Sequence, residues 1–354
     1  MIDDNDLSVR ALFDRTSCTY TYLLACRETR EAVLVDPVFA HHQRDMALIR
    51  ELELKLVMVL DTHVHADHIT GAWLARACTD APIALAEAAG GSEVDRPLND
   101  GDEITFGTQS LVVRATPGHT AGCLSFVDKR QRFVMTGDAL MIRGTGRTDF
   151  QGGSARTLFD SITQQLFALP DTCLVLPGHD YLGRTVSTIG EERHFNPRVG
   201  GGASATDFVG HLDNLALPHP KHIDAAVPAN LTSGKPSDGQ YPSIGDWAPL
   251  ELTFAGIPEI EASWVAAHRA RVCVVDVRER EELEGELGAL EDILHIPLDE
   301  FRDKASTVPD SLPVVIVCRS GRRSGLAVKI LRDAGKTQVA NLRGGMLAWR
   351  KQIN

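Results

Sequence analysis

Short apolar runs separated by turn residues dominate the first ~200 positions. They include TYTYLLA at 19–25, AVLVD at 32–36, LKLVMVL at 54–60, SLVVRA at 110–115, LSFVD at 124–128, RFVMTG at 132–137 and CLVLPG at 173–178. Runs of this length bounded by Gly, Pro and Asp predict strands. Between them lie stretches such as HHQRDMALIRELE at 41–53, whose apolar residues recur at helical spacing. The alternation predicts an α/β layer protein. From 206 to 249 the periodicity fades and prolines and glycines cluster, as in ALPHPKHIDAAVPANLTSGKPSDGQYPSIGDWAP. That composition predicts an extended connector. Strand and helix patterns resume in VCVVDVR, EREELEGEL, PVVIVC, GLAVKILRDAG and GGMLAWRKQI. The expected organisation is a domain at 1–205, a connector at 206–249 and a smaller α/β domain at 250–354.

Composition sharpens this picture in three ways. A length of 354 residues suits two domains. The net charge of −12 argues against nucleic acid as a partner, because phosphate binding needs a basic surface. Membrane insertion is not expected either, since every apolar run is far shorter than the ~20 residues a spanning helix needs. The acidic start MIDDNDLSVR is unlike a targeting peptide, and the 7 cysteines are irregularly spaced. Both point to a reducing, cytoplasmic setting. Homo-oligomerisation stays open.

Four of the predicted strands run into a residue able to bind metal: His63, His119, Asp138 and His179. Strand ends along one sheet edge converge, and Gly118, Gly137 and Gly178 just before three of these residues permit sharp turns. The first end is the densest, with His63, His65, Asp67 and His68 in six residues. Imidazole and carboxylate suit zinc, iron and related divalent ions. A lone histidine is usually a hydrogen-bonded core or surface group; this cluster with three further strand-end ligands is not. The H-x-H-x-D-H pattern with its distant His, Asp and His resembles the metallo-β-lactamase fold superfamily over residues 7–200. That resemblance implies an αββα sandwich. In two-metal members, His63, His65 and His119 would hold one ion, Asp67, His68 and His179 the other, and Asp138 would bridge.

Two subfamilies compete. Glyoxalase II enzymes share these ligands and hydrolyse glutathione thioesters with two metals, but they carry a helical C-terminal region unlike anything here. The persulfide (sulfur) dioxygenase family is similar at THVHADHITGA (62–72), PGHTAGCLSFV (117–127), GDALMIRGTGRTDFQGG (137–153), GHDYLGRTVSTIGEERHFNPR (178–198) and ALPHPKHIDAAVPAN (216–230). That resemblance implies one Fe(II) per chain held by His63, His119 and Asp138, with His65, Asp67, His68 and His179 nearby. It further implies oxidation of glutathione persulfide by O₂ to sulfite and glutathione. Glutathione carries two carboxylates, so Arg143, Arg147 and, less strongly, Arg198 are candidate contacts, together with Tyr181. Asp180 is a candidate for orienting a ligand histidine or for capping a helix.

In the C-terminal part, PVVIVC ends in Cys318, Arg319, Ser320, Gly321, Arg322, Arg323 and Ser324, followed by a predicted helix. A loop at a helix N-terminus with three arginines favours thiolate, so Cys318 is expected to be a nucleophile. The segments VVDVREREEL, HIPLDEF, CRSGRRS and LRGGMLAW resemble rhodanese, a sulfurtransferase family with a central parallel sheet. A C-x₅-R phosphatase would need arginine at 324. The resemblance implies that Cys318 carries a persulfide between thiosulfate and glutathione. It also implies that Arg319, Ser320, Gly321, Arg322 and Arg323 line the anion loop, with Asp276 and Arg278 bracing it. The other six cysteines read as packing residues. A rhodanese-type module serving only as a persulfide sensor is the non-catalytic rival.

Overall fold

The computed structural model describes residues 6–215, 218 and 222–353. Contacts divide the chain into two compact units, Met1–His42 with Leu52–Tyr241, and Gln43–Glu51 with Pro242–Asn354. In the first unit, one sheet runs in the order Leu7–Phe13 (β1), Tyr20–Cys26 (β2), Glu31–Val35 (β3), Lys55–Leu60 (β4), Ile83–Ala86 (β5) and Arg96–Leu98 (β6). The second sheet comprises Glu103–Phe106 (β7), Gln109–Ala115 (β8), Leu124–Asp128 (β9), Phe133–Gly137 (β10), Leu174–Pro177 (β11) and Ser187–Thr188 (β12). Alternate residues of both sheets, among them Tyr22, Leu24, Leu60, Val113, Phe126 and Met135, share one buried cluster. The sheets therefore pack face to face. The opposite faces of β9, β10 and β11 present Val127, Val134 and Val175 to Leu158, Ile162 and Phe208 of flanking helices. This is the expected αββα sandwich.

The proline-rich stretch departs from the expectation of a connector. Helices Ala205–Asp213 and Ile223–Asn230 form within it, and the first unit extends to Tyr241. Ser204 and Asp207 close a capping box, and Phe208 and Leu212 are buried. Local capping and tertiary burial thus outweigh a breaker-rich composition. Residues 216, 217 and 219–221 of the ALPHPKHIDAAVPAN segment lie outside the described residues. No regular element follows until 251.

The second unit holds a six-stranded sheet whose strands are Glu251–Leu252 (β13), Pro258–Ile260 (β14), Cys273–Asp276 (β15), Leu294–His295 (β16), Val314–Val317 (β17) and Val339–Leu342 (β18). Their spatial order is β13-β14-β18-β17-β15-β16, and every pairing after the β13–β14 hairpin is parallel. Parallel strands buried on both faces explain the unbroken apolar runs VCVVDV and VVIVC. Among the described residues no helix is long and apolar enough to cross a membrane.

Candidate metal centre and cysteine loop

β4, β8, β10 and β11 deliver His63, His119, Asp138 and His179 to one edge of the sandwich, all buried. Two close approaches explain the glycines there. Gly118 adopts φ +134°, and a Cβ on it would stand 2.3 Å from Leu158 N. A Cβ on Gly178 would stand 2.9 Å from Asp138 Oδ1. His119 Nε2 and His63 Nε2 lie 3.5 and 4.0 Å from Asp138 Oδ2. The other nitrogen of each ring is engaged: His119 Nδ1 donates to the Arg147 carbonyl at 2.6 Å, and His63 Nδ1 meets Thr62 Oγ1 at 2.9 Å. Three donors therefore face one point, spaced like ligands each ~2.1 Å from a common ion.

The remaining ligand types form a second knot. His179 donates from Nδ1 to Asp138 Oδ1 at 2.6 Å and from Nε2 to Asp67 Oδ2 at 3.0 Å. His68 Nδ1 is 3.0 Å from Asp67 Oδ2. His65 Nε2 donates to Asp36 Oδ1 at 3.2 Å, while Asp36 also accepts from the backbone N–H of Thr62 at 2.7 Å and its hydroxyl at 2.9 Å. His65 Nδ1 and His68 Nε2 are buried without a hydrogen-bond partner. Burial holds His63 well below the ordinary imidazole range. Burial alone would lower His179 too, but the Asp138 and Asp67 carboxylates drive it well above that range. For His65 the Asp36 carboxylate likewise outweighs burial, raising it to about 9. The fit to a divalent cation rests with His63, His119 and Asp138, whose donor atoms face one point.

His63, Asp67, His119, Asp138 and His179 floor a cavity of about 640 Å³ whose wall includes Met141, Phe150, Arg143, Arg147, Tyr181 and Arg198. The cations of this wall differ in their partners. Arg143 is ion-paired with the fully buried Glu192, and Arg147 with Asp149 at 2.5 Å. Arg198 donates to the Thr145 carbonyl at 2.6 Å and to no carboxylate among the described residues. Burial lowers its pKa, as expected of a cation lacking an anionic partner. Tyr181 is 66% exposed and stacks on His179 at 6.0 Å. Among the described residues the Asp180 carboxylate bonds to neither a ligand-type histidine nor a helix end; it accepts from Leu182 N, Arg184 N and Arg184 Nε, all at 2.8 Å, bracing the turn.

Three residues escaped the reading of the sequence. Asn230, 3% exposed, donates to the carbonyls of His65 and His68 at 2.9 and 2.8 Å and accepts from Thr70 N at 2.8 Å. It closes the segment ALPHPKHIDAAVPAN in the supposed connector, whose resemblance to the family was noted without assigning Asn230 a role. Thr19, at the head of β2, reaches into the second knot of donors. Arg184 lines the cavity, paired with Asp180 at 2.8 Å.

In the second unit, Cys318 ends β17 and Gly321 (φ +91°) turns the loop into helix Arg322–Asp333. Cys318 Sγ accepts from Gly321 N at 3.2 Å and the Ser324 hydroxyl at 3.1 Å. Burial would raise its pKa, but bonds from the Ser324 hydroxyl and the Ser324, Ser320 and Gly321 amides bring it below the ordinary thiol value. The hydrogen-bonding part of the shift comes from the loop amides expected from the sequence and from the Ser324 hydroxyl, which was not expected. Arg319 and Arg322 are exposed, and Arg323 forms a two-point ion pair with Glu282 at 2.6 and 2.7 Å. The buried Asp276–Arg278 pair braces the segment carrying Glu282, with Arg278 Nη1 donating to the Glu282 carbonyl at 3.2 Å.

The profile of the Metallo-beta-lactamase superfamily matches residues 18–179, and that of the Rhodanese-like domain residues 261–352. Persulfide dioxygenase ETHE1, mitochondrial, of Homo sapiens and of Mus musculus are each 50% identical over 226 residues, spanning 64% of this chain and 88% of theirs. The chain belongs to the persulfide dioxygenase family of the metallo-β-lactamase superfamily. The crystal structure of ETHE1 from Myxococcus xanthus agrees, at TM-score 0.62 and 50% identity, covering 64% of this chain and 99% of that one. A metallo-beta-lactamase from Staphylococcus aureus covers 96% of this chain at TM-score 0.62 and 21% identity, a likeness of fold. This member of the persulfide dioxygenase family therefore carries a rhodanese-like domain behind its metallo-β-lactamase domain. The first profile ends on His179, so every donor residue of both knots lies inside it, whereas Arg198 and Asn230 lie beyond.

Proposed function

We propose that the chain oxidises glutathione persulfide with O₂ and separately transfers sulfane sulfur through Cys318. The observation carrying the first half is the two-histidine, one-carboxylate set His63, His119 and Asp138 beneath a cavity able to enclose a tripeptide thiol. These three residues would hold one Fe(II), which when bound supplies open positions and redox capacity for O₂ chemistry at sulfur. The chain's own residues do the rest. The Arg147 carbonyl and Thr62 orient the two imidazoles, and burial keeps His63 unprotonated. Arg198, which meets no carboxylate among the described residues, receives a glutathione carboxylate; Tyr181 flanks the entrance, while Arg143 and Arg147 contribute positive potential although each is already paired. In sum, glutathione persulfide, O₂ and water yield glutathione, sulfite and two protons, with the outer sulfur oxidised and O₂ reduced.

In the rhodanese-like domain, the Cys318 thiolate attacks the outer sulfur of thiosulfate, forming a Cys318 persulfide and expelling sulfite. Glutathione thiolate then takes that sulfur, restoring Cys318 and producing glutathione persulfide. Ser324 and the loop amides stabilise the thiolate, and Arg319 and Arg322 attract the anionic donor. The anion loop completes this with Ser320, Gly321 and Arg323.

Metal content with O₂ uptake on glutathione persulfide tests the first half. About one iron per chain with uptake is expected; two zincs and no uptake would sink it. Cys318→Ser should abolish sulfur transfer from thiosulfate to glutathione and leave O₂ uptake intact. Retained transfer would overturn the role of Cys318.

A further inference from the structure

All seven ligand types of a two-metal site are present, which raises the question of what restricts this chain to one metal. The second set, Asp67, His68 and His179, converges on a single atom that is not a metal. Thr19 Oγ1 lies 2.9 Å from His179 Nε2, 3.2 Å from Asp67 Oδ2 and 3.3 Å from His68 Nδ1. The residue is completely buried. Its backbone bridges His179 in antiparallel fashion, and the neighbouring Tyr20 N donates to the Gly178 carbonyl at 2.8 Å. Thr19 is thus fixed against the loop bearing His179, and a β-branched side chain has little freedom to swing away.

An ion held by these three residues would sit ~2.1 Å from each donor atom. The space where the donors meet is the space the hydroxyl fills. The donors are also committed to one another. Asp67 Oδ2 receives His179 Nε2, His68 Nδ1 and the Thr19 hydroxyl, while Asp138 Oδ1, the oxygen a bridging role would use, receives His179 Nδ1. His68 turns Nδ1 toward this cluster, leaving Nε2 buried and unpaired.

We propose that Thr19 is the residue that keeps this chain at one metal. Its side chain occupies the second metal's position and binds that metal's ligands to itself and to each other. Two consequences follow. The second donor set acts as a hydrogen-bonded buttress for Asp138, and the capacity for a second ion is latent in the chain. The inference rests on the one-metal reading above, and the experiment separates the two.

The full chain and its Thr19→Ala and Thr19→Ser variants are loaded with excess Co(II), desalted, and assayed for cobalt per chain and for the cobalt absorption spectrum. Wild type and Thr19→Ser, which keeps the hydroxyl, should hold about one cobalt, and Thr19→Ala about two, with a correspondingly stronger, altered spectrum. One cobalt in both wild type and folded Thr19→Ala overturns the role of Thr19 and leaves the one-metal reading standing. Two in Thr19→Ser overturns it as well. Two in wild type overturns both. Should Thr19→Ala be unfolded without metal, excess Co(II) must restore its circular dichroism and raise its melting point. Failure of that rescue also overturns the proposal.

Discussion

Ser324 and Asn230 show how much of each site is set by single hydrogen bonds. Ser324 is one of several donors that bring Cys318 below the ordinary thiol value against the opposing effect of burial. Because the folded-state value is depressed, thiolate forms at a lower pH than in a free thiol. Ser324→Ala should therefore shift the pH midpoint of Cys318 alkylation upward, and an unmoved midpoint would exclude the hydroxyl as a cause. Asn230 ties the backbone at His65, His68 and Thr70 together. Asn230→Ala leaves these buried groups unpaired, at ~1–3 kcal/mol each. Urea denaturation should record that loss as a lower unfolding midpoint. Neither residue belongs to a ligand pattern, so neither was singled out from the chain as His63 and Cys318 were.

Among the elements, the turns after the strands decide where ligands point. The turn between β8 and His119 brings Gly118 against the backbone of helix Ala155–Ser161, with the Gly118 carbonyl accepting from Ser154 N at 2.8 Å. Gly118→Ala demands a strained φ and displacement of Leu158, a cost of at least ~3 kcal/mol. Urea unfolding should record that loss, and the displaced His119 should weaken metal binding in parallel. The strand runs in the sequence match observed strands closely because half-buried and fully buried strands write their environment into consecutive residues. Shorter edge elements such as β6 carry too few residues for a pattern. The helices at 205–213 and 223–230 were hidden for another reason: their stability comes from burial of Phe208, Leu212 and Ala226.

At the scale of the whole molecule, each unit has buried apolar clusters of its own. Calorimetry of the full chain should resolve two transitions, with chelation lowering one of them, since a metal present at a thousand times its dissociation constant adds ~4 kcal/mol to its own unit. A single transition, or equal lowering of two, would contradict this. The charge of −12 also acquires a meaning at this scale. Carboxylates occupy most of the cations near the cavity, Arg143 with Glu192, Arg147 with Asp149 and Arg184 with Asp180. Arg198 stands out only once those pairings are known.

The candidate ligands, the candidate nucleophile and the layer architecture were legible in the amino-acid sequence. Metal chemistry limits which side chains can serve, and buried strands require apolar runs. What the tertiary structure alone decided was partnership. It set which donors face one another, which arginine of the cavity wall meets no carboxylate among the described residues, and which hydroxyl sits among Asp67, His68 and His179. Such pairings join residues tens to hundreds of positions apart, and nothing local in the chain encodes a contact of that range.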